Sequence, residues 1–320
     1  MSTAPYVSDF GRHEVREARD VLAGHPASGG QRPLTCRWPK DRAPQGFVVF
    51  CHGLGSSGGE YAALSAHWAS HGYLVIHPTF RDAIDIVARE EPELGLDPRA
   101  DLSGWTAMPD IRARMHEILH TPARWIERLE VVRSLMAALP GIVDATCGRE
   151  AGPLPGCIAG HSFGAYTAQL LAGAEIDLPG DPGRRFGDDR FRAALLLSAQ
   201  GREQQGLRDG SWDAVTGPVL TVTGTLDRGA KGGDWRWKSE PYELAPAGGK
   251  YLAVLDNGDH FLGGLTQRDA QQHIPAQQEA VRRITLAFLD AHLRDSRAAR
   301  DWLGSITDRV GECRLLFRRK

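Results

Sequence analysis

The chain has 320 residues, with 38 Lys and Arg against 40 Asp and Glu, a formal charge of −2, 42% hydrophobic residues and 24% charged ones. A near-zero net charge leaves no electrostatic footprint for nucleic acid, and no uncharged apolar run approaches the ~18 residues a membrane-spanning helix needs. A chain of this length buries about 75% of its unfolded surface without help from disulfides or metals, and 37 glycines with 19 prolines keep it outside disordered compositions.

Charges at Arg12, His13, Glu14, Arg16, Glu17, Arg19 and Asp20 leave no place for the apolar core of a secretory signal. Five cysteines are an odd number without regular spacing, which fits reduced thiols in a cytoplasmic protein. Two antiparallel edge strands are expected first, around Glu14–Val21 and Leu34–Trp38. Phe47–Cys51 is a continuous apolar run, as in a strand covered on both faces. Glu60–His71 places Tyr61, Leu64 and Trp68 on one helical stripe, and Tyr73–Ile76 is the next strand. Residues 81–123 are rich in charge, Pro and Gly and break the alternation. They predict an excursion over the sheet edge, a possible lid, with one helix near Pro109–His120. Arg124–Leu139 carries Ile126, Leu129, Val132 and Met136 at helical spacing. Strands follow at Cys157–Ala159, Ala193–Leu197, Val219–Val222 and Tyr251–Leu255, with helices at Ala165–Gly173 and Ala276–Leu293. Residues 295–320 form a short tail with Trp302, Leu315 and Phe317 available for docking. Strand and helix alternating in this way predict one α/β domain over residues 1–320, a mostly parallel central sheet with helices on both faces.

Gly160-His161-Ser162-Phe163-Gly164 matches G-x-S-x-G, and so does Gly55-Ser56-Ser57-Gly58-Gly59. Context separates them. Ser162 stands directly between a strand and a helix, as a nucleophile elbow requires, whereas Ser57 lies in a loose glycine loop beyond its strand. A serine needs an adjacent base. Asp227 follows the strand Val219–Val222 and His260 follows Tyr251–Leu255. Ser162, Asp227 and His260 therefore run in the α/β-hydrolase order Ser…Asp…His. Asp256 and Asp259 are rivals for the acid, but both sit on the histidine's own loop. Oxyanion donors are expected from the Phe163 N–H and, in the loop His52-Gly53-Leu54-Gly55, from the Leu54 N–H. His52 is read as tying that loop down.

With these residues assembled, the chain resembles the α/β-hydrolase superfamily, and within it bacterial dienelactone-hydrolase-related proteins and platelet-activating-factor acetylhydrolase-like esterases. The likeness rests on Cys51–Gly55, His67–Tyr73, Gly160–Tyr166, Asp227 and Gly258-Asp259-His260. It implies a serine carboxylic-ester hydrolase without a cofactor and supports Leu54 and Phe163 as oxyanion donors. True dienelactone hydrolases carry cysteine at the elbow where this chain has Ser162, and the lipoprotein-associated acetylhydrolases are secreted and dock on lipid.

His116-Glu117-Ile118-Leu119-His120 matches the zincin pattern H-E-x-x-H. Its surroundings argue for an amphipathic surface helix instead. Ile111, Met115, Ile118 and Leu119 form the apolar stripe, and Arg112 sits one turn before His116 on the polar flank. Pocket walls are expected from Trp235 and Trp237 in the glycine-rich segment after Asp227, from Trp105 in the excursion, and from His161 beside the nucleophile. The expected activity is hydrolysis of short, uncharged or modestly apolar esters through an acyl-enzyme. Perhydrolysis, thioester or amide cleavage on the same triad, a zinc peptidase and a non-catalytic binding protein are the alternatives. The expected partner is a small-molecule ester, and a homodimer is compatible with the glycine-rich surface and tail.

Overall fold

The structure, a computed structural model, describes residues 6, 10–22, 33–148, 152–266 and 272–320. In chain order the elements are β1 (Val15–Leu22), β2 (Pro33–Pro39), β3 (Phe47–Cys51), α1 (Ala62–Ser70), β4 (Leu74–His77), α2 (Ile84–Glu90), α3 (Pro109–Leu119), α4 (Pro122–Cys147), β5 (Gly156–His161) and α5 (Phe163–Leu171). They continue with β6 (Glu175–Leu178), β7 (Asp181–Arg185), β8 (Phe191–Leu197), β9 (Val219–Gly224), α6 (Trp235–Leu244), β10 (Lys250–Leu255), α7 (Pro275–Leu293), α8 (Arg297–Ser305), β11 (Arg309–Val310) and β12 (Cys313–Arg319).

Ten strands form one sheet in the order β1-β2-β4-β3-β5-β8-β9-β10-β12-β11. Its centre, β4 through β10, is parallel, and β2 and β12 flank it antiparallel. The two faces follow from alternation along each strand. Phe47, Val49 and Cys51 of β3 join α4 and α5 in one core, while Val48 and Phe50 join α1 and α7 in the other. This explains why β3, β4 and β5 are buried at every position. From β3 the chain steps to β4 on one side and later to β5 on the other. Such a reversal opens a crevice at the carboxyl ends of the strands, and the turns after β3 and β5 meet there.

The excursion at 81–123 has a small core of its own, including Ile84, Val87, Leu102, Trp105, Ile111 and Met115. The expected helix near Pro109–His120 is α3, and α2 is an additional one. Three further departures have local causes. The helix expected to stop at Leu139 runs through Pro140 to Cys147. An interior proline costs roughly 3 kcal/mol, and burial of Ile142 against the α4-side core opposes that loss. Residues 295–320 are not a tail. Ser296 caps α8 through Ala299 N–H at 3.2 Å, and β12 extends the sheet by pairing with β10, with Cys313 and Leu315 turned inward. In the hairpin β6–β7 the first strand alternates over only four residues, Glu175–Leu178, and the second, Asp181–Arg185, has no apolar residue to alternate but Pro182. The hairpin is closed at Gly180 (φ +77°) and tied by Arg208 to Asp177 at 2.9 Å. Among the described residues no helix is long and apolar enough to cross a membrane.

Candidate active site

Ser162 sits between β5 and α5 with φ 54° and ψ −120°, a conformation L-residues rarely adopt. Its N–H donates to Leu197 O at 2.9 Å. The flanking glycines permit this turn: a Cβ on Gly160 would lie 2.2 Å from the Gly164 carbonyl carbon, and one on Gly164 1.9 Å from Cys51 O. Ser57, by contrast, precedes a short 3-10 turn with an ordinary extended φ of −144°.

The turn brings Ser162 Oγ to 3.0 Å from His260 Nε2, and His260 Nδ1 lies 2.8 Å from Asp227 Oδ1. Asp227 is completely buried. Its second oxygen accepts from Thr223 Oγ1 at 2.9 Å, and the Lys238 ammonium stands 3.9 Å from the first. Burial opposes the carboxylate, but Lys238 and His260 outweigh it, so the carboxyl is held well below the usual range. Asp256 and Asp259 take no part in this chain. Asp259 instead caps its own turn by accepting from Phe261 N–H at 2.9 Å. Lys238 was not legible as a site residue. It is buried, and its Nζ also donates to Ser198 O at 3.1 Å.

Leu54 lines the cleft and Phe163 directly follows Ser162 at the start of α5; neither N–H donates to a protein acceptor among the described residues. The turn carrying Leu54 is braced from behind. His52 Nδ1–H donates to Gly53 O at 2.7 Å, and His52 Nε2 accepts from Phe80 N–H at 3.0 Å, which fixes its tautomer. Arg128 of α4 lies between the Phe80 and Phe163 rings, 4.2 and 4.1 Å from their centroids. It forks onto Asp82 at 2.7 and 2.6 Å and donates to His52 O at 2.9 Å, while Asp82 O accepts from Gly55 N–H at 3.0 Å. An arginine inside the apolar stripe of a helix was the one sequence signal of this brace.

A second relay crosses the site. Gly53 N–H donates to Tyr61 OH at 3.0 Å, Tyr61 donates to His161 Nδ1 at 3.0 Å, and His161 Nε2–H donates to His260 O at 2.8 Å. Burial, with a smaller contribution from His260, pushes the His161 pKa down to about 3. Burial, then Arg37, puts His77 well below its ordinary value as well. An unfolded histidine takes up its proton near pH 6.5 while these two stay neutral, so stability is full above that pH and lost as pH falls toward 3. Unfolding in urea should show a loss of about 2 kcal/mol between pH 7 and pH 5 for His161 alone. A flat profile over that interval would contradict a neutral buried His161.

The cleft beside Ser162 has a volume of about 210 Å³. Trp105 and His161 line it as expected, and so does Trp237. Trp235 does not. Sequence reading treats 228–238 as a loop, but α6 begins at Trp235, and positions two apart on a helix face different ways. Trp235 packs near Tyr242, Leu252 and Val254 on the far side. Trp237 is held by its indole N–H donating to Arg202 O at 2.9 Å. The H-E-x-x-H segment is α3. His116 borders the cleft, but Glu117 turns out to solvent and pairs with Arg114 at 3.0 Å. Among the described residues no three His, Cys, Asp or Glu side chains are grouped to hold a metal ion.

Residues 34–94 match the family model described as platelet-activating factor acetylhydrolase, isoform II. The chain thus resembles that family over β2 to α2, the stretch holding the His52–Gly55 turn and Asp82. Ser162, Asp227 and His260 lie outside the matched residues. No curated protein matches the chain significantly.

Proposed function

We propose that the chain is a serine hydrolase of the α/β-hydrolase fold that cleaves carboxylic esters of small to medium acyl chain. The observation that carries this reading is the unbroken hydrogen-bond sequence Ser162–His260–Asp227, at 3.0 and 2.8 Å, beside two unengaged N–H groups. The match to an acetylhydrolase family and a cleft of only about 210 Å³ support it.

Ser162 Oγ attacks the ester carbonyl carbon while its proton passes to His260 Nε2. Asp227 accepts from His260 Nδ1–H and stabilises the imidazolium. The carbonyl oxygen gains its charge between Leu54 N–H and Phe163 N–H, donors that need no reorganisation because the brace behind them fixes the backbone. When the tetrahedral centre collapses, the alcohol leaves with the proton from His260. Water then repeats the sequence on the acyl-enzyme and releases the acid. Thioesters, amides and peroxide as acceptor fit the same steps, and matched substrates rank them.

Labelling with a fluorophosphonate tests the reading. One adduct is expected, on Ser162 by mass spectrometry, and none in Ser162→Ala. A folded wild-type protein that stays unlabelled would overturn the assignment.

A further inference from the structure

The loop after β8 is built to present side chains to the cleft. Ser198, Glu203 and Gln205 hold positive φ of 54°, 63° and 53°, conformations that persist only where surroundings over-determine them. The surroundings here are four side-chain donors to its carbonyls. Lys238 donates to Ser198 O at 3.1 Å, Gln169 to Gln200 O at 3.3 Å, Trp237 to Arg202 O at 2.9 Å and Tyr166 to Gln205 O at 2.7 Å. With its backbone fixed from behind, the loop turns Gln200 toward Ser162 as part of the cleft wall.

Gln200 is only 4% exposed, its amide oxygen is buried, and its side chain makes no hydrogen bond among the described residues. Buried amides without a partner are uncommon in folded proteins, and one that lines a cleft is free to hydrogen-bond a molecule bound there. The same small cleft takes Arg228, next in sequence to Asp227. Arg228 is exposed and donates only to the carbonyls of Thr225 and Asp227, at 3.4 and 3.2 Å; it forms no ion pair among the described residues, although Asp234 lies near enough to feel its charge. The other cation on the wall, Lys238, is already answered by Asp227. Among the described residues no Asp or Glu lines the cleft. A hydrocarbon chain would leave the buried Gln200 amide unmet and gain nothing from Arg228, whereas a carboxylate takes charge-assisted hydrogen bonds from a guanidinium fork and an amide NH₂ together.

We propose that Gln200 and Arg228 form an anion subsite beside Ser162, and that the preferred substrates are esters carrying a carboxylate on the acyl or the alcohol half. This rests on the serine hydrolase reading and revises the uncharged substrates expected from sequence. Sites that hydrogen-bond a substrate group discriminate strongly against isosteres lacking it.

Two matched pairs test it by kcat/KM. The p-nitrophenyl monoester of adipic acid is compared with the isosteric isoalkanoate ester for the acyl half, and p-(carboxymethyl)phenyl acetate with p-isobutylphenyl acetate for the alcohol half. The anionic member of at least one pair should lead by roughly tenfold, the lead should shrink in about 1 M NaCl, and Arg228→Glu should reverse it. Gln200→Leu, near-isosteric and removing no hydrogen bond, should diminish it. Equal rates in both pairs, or a preference that survives Arg228→Glu, overturn the subsite while fluorophosphonate labelling of Ser162 keeps the hydrolase reading. Absence of both turnover and labelling removes the two together.

Discussion

Asp227→Asn should lower kcat about ten-thousand-fold on any ester the protein turns over. The amide cannot select the His260 tautomer with its proton on Nδ1, so the ring presents the wrong nitrogen to Ser162. A second effect is specific to this chain. Lys238 is buried and has Asp227 as its counter-charge at 3.9 Å, so the variant leaves an ammonium unanswered in the interior, at a cost of roughly 3 kcal/mol. Burial already lowers the Lys238 pKa. The loss should therefore shrink as pH rises and the folded variant sheds that proton more readily than the unfolded chain. Asp227→Asn/Lys238→Met should regain most of the stability and none of the rate. Urea unfolding and steady-state kinetics on the two variants separate the roles. Retention of a tenth of the wild-type kcat by Asp227→Asn would show that the carboxylate does not orient His260.

Arg128→Met should be the next most damaging change, although Arg128 borders no substrate. It removes the donor to His52 O and strands Asp82, which is 3% exposed. Breaking a buried pair from one side costs about 3–5 kcal/mol. The turn from His52 to Gly55 is then released at two points, and with it the Leu54 N–H. Loss of one oxyanion donor lowers kcat by about 10²–10³, with KM little changed because the group acts in the transition state. Arg128→Lys restores a charge but not the fork or the stacking between Phe80 and Phe163, so stability should recover further than kcat. A full kcat alongside lowered stability would mean that the pair does not set the turn.

These two cases mark how far sequence reading reaches and where it stops. Ser162, Asp227 and His260 are legible because each lies in the first turn or loop after a short apolar run, and the ends of parallel strands converge wherever the loops go. Lys238 is illegible because its partner comes from tertiary burial of α6, and a lysine after two tryptophans reads as surface. Trp235 and Trp237 look equivalent in a string and are divided only by the helix that begins between them and Asp234. Gln200 lies in Gln200-Gly201-Arg202-Glu203-Gln204-Gln205, a polar stretch with no period. Its shape comes from donors on Lys238, Gln169, Trp237 and Tyr166, all distant along the chain. At the far end, Cys313-Arg314-Leu315 does alternate, but so short a run competes poorly with its charged neighbours.

Both margins of the sheet carry a defence against fibre formation. β1 holds Arg16, Glu17, Arg19 and Asp20 and is broken by a bulge between Ala18 and Val21. β12 carries Arg314, Arg318 and Arg319, and β11 shields only its first residues. Charges and a bulge on an outer strand deny an incoming chain the flat, apolar template that intermolecular strand addition needs. Neutralising Arg314, Arg318 and Arg319 would leave Leu316, already 37% exposed, and Phe317 on an open ladder beside β10. Solubility at high concentration, more than activity, is the property those arginines protect.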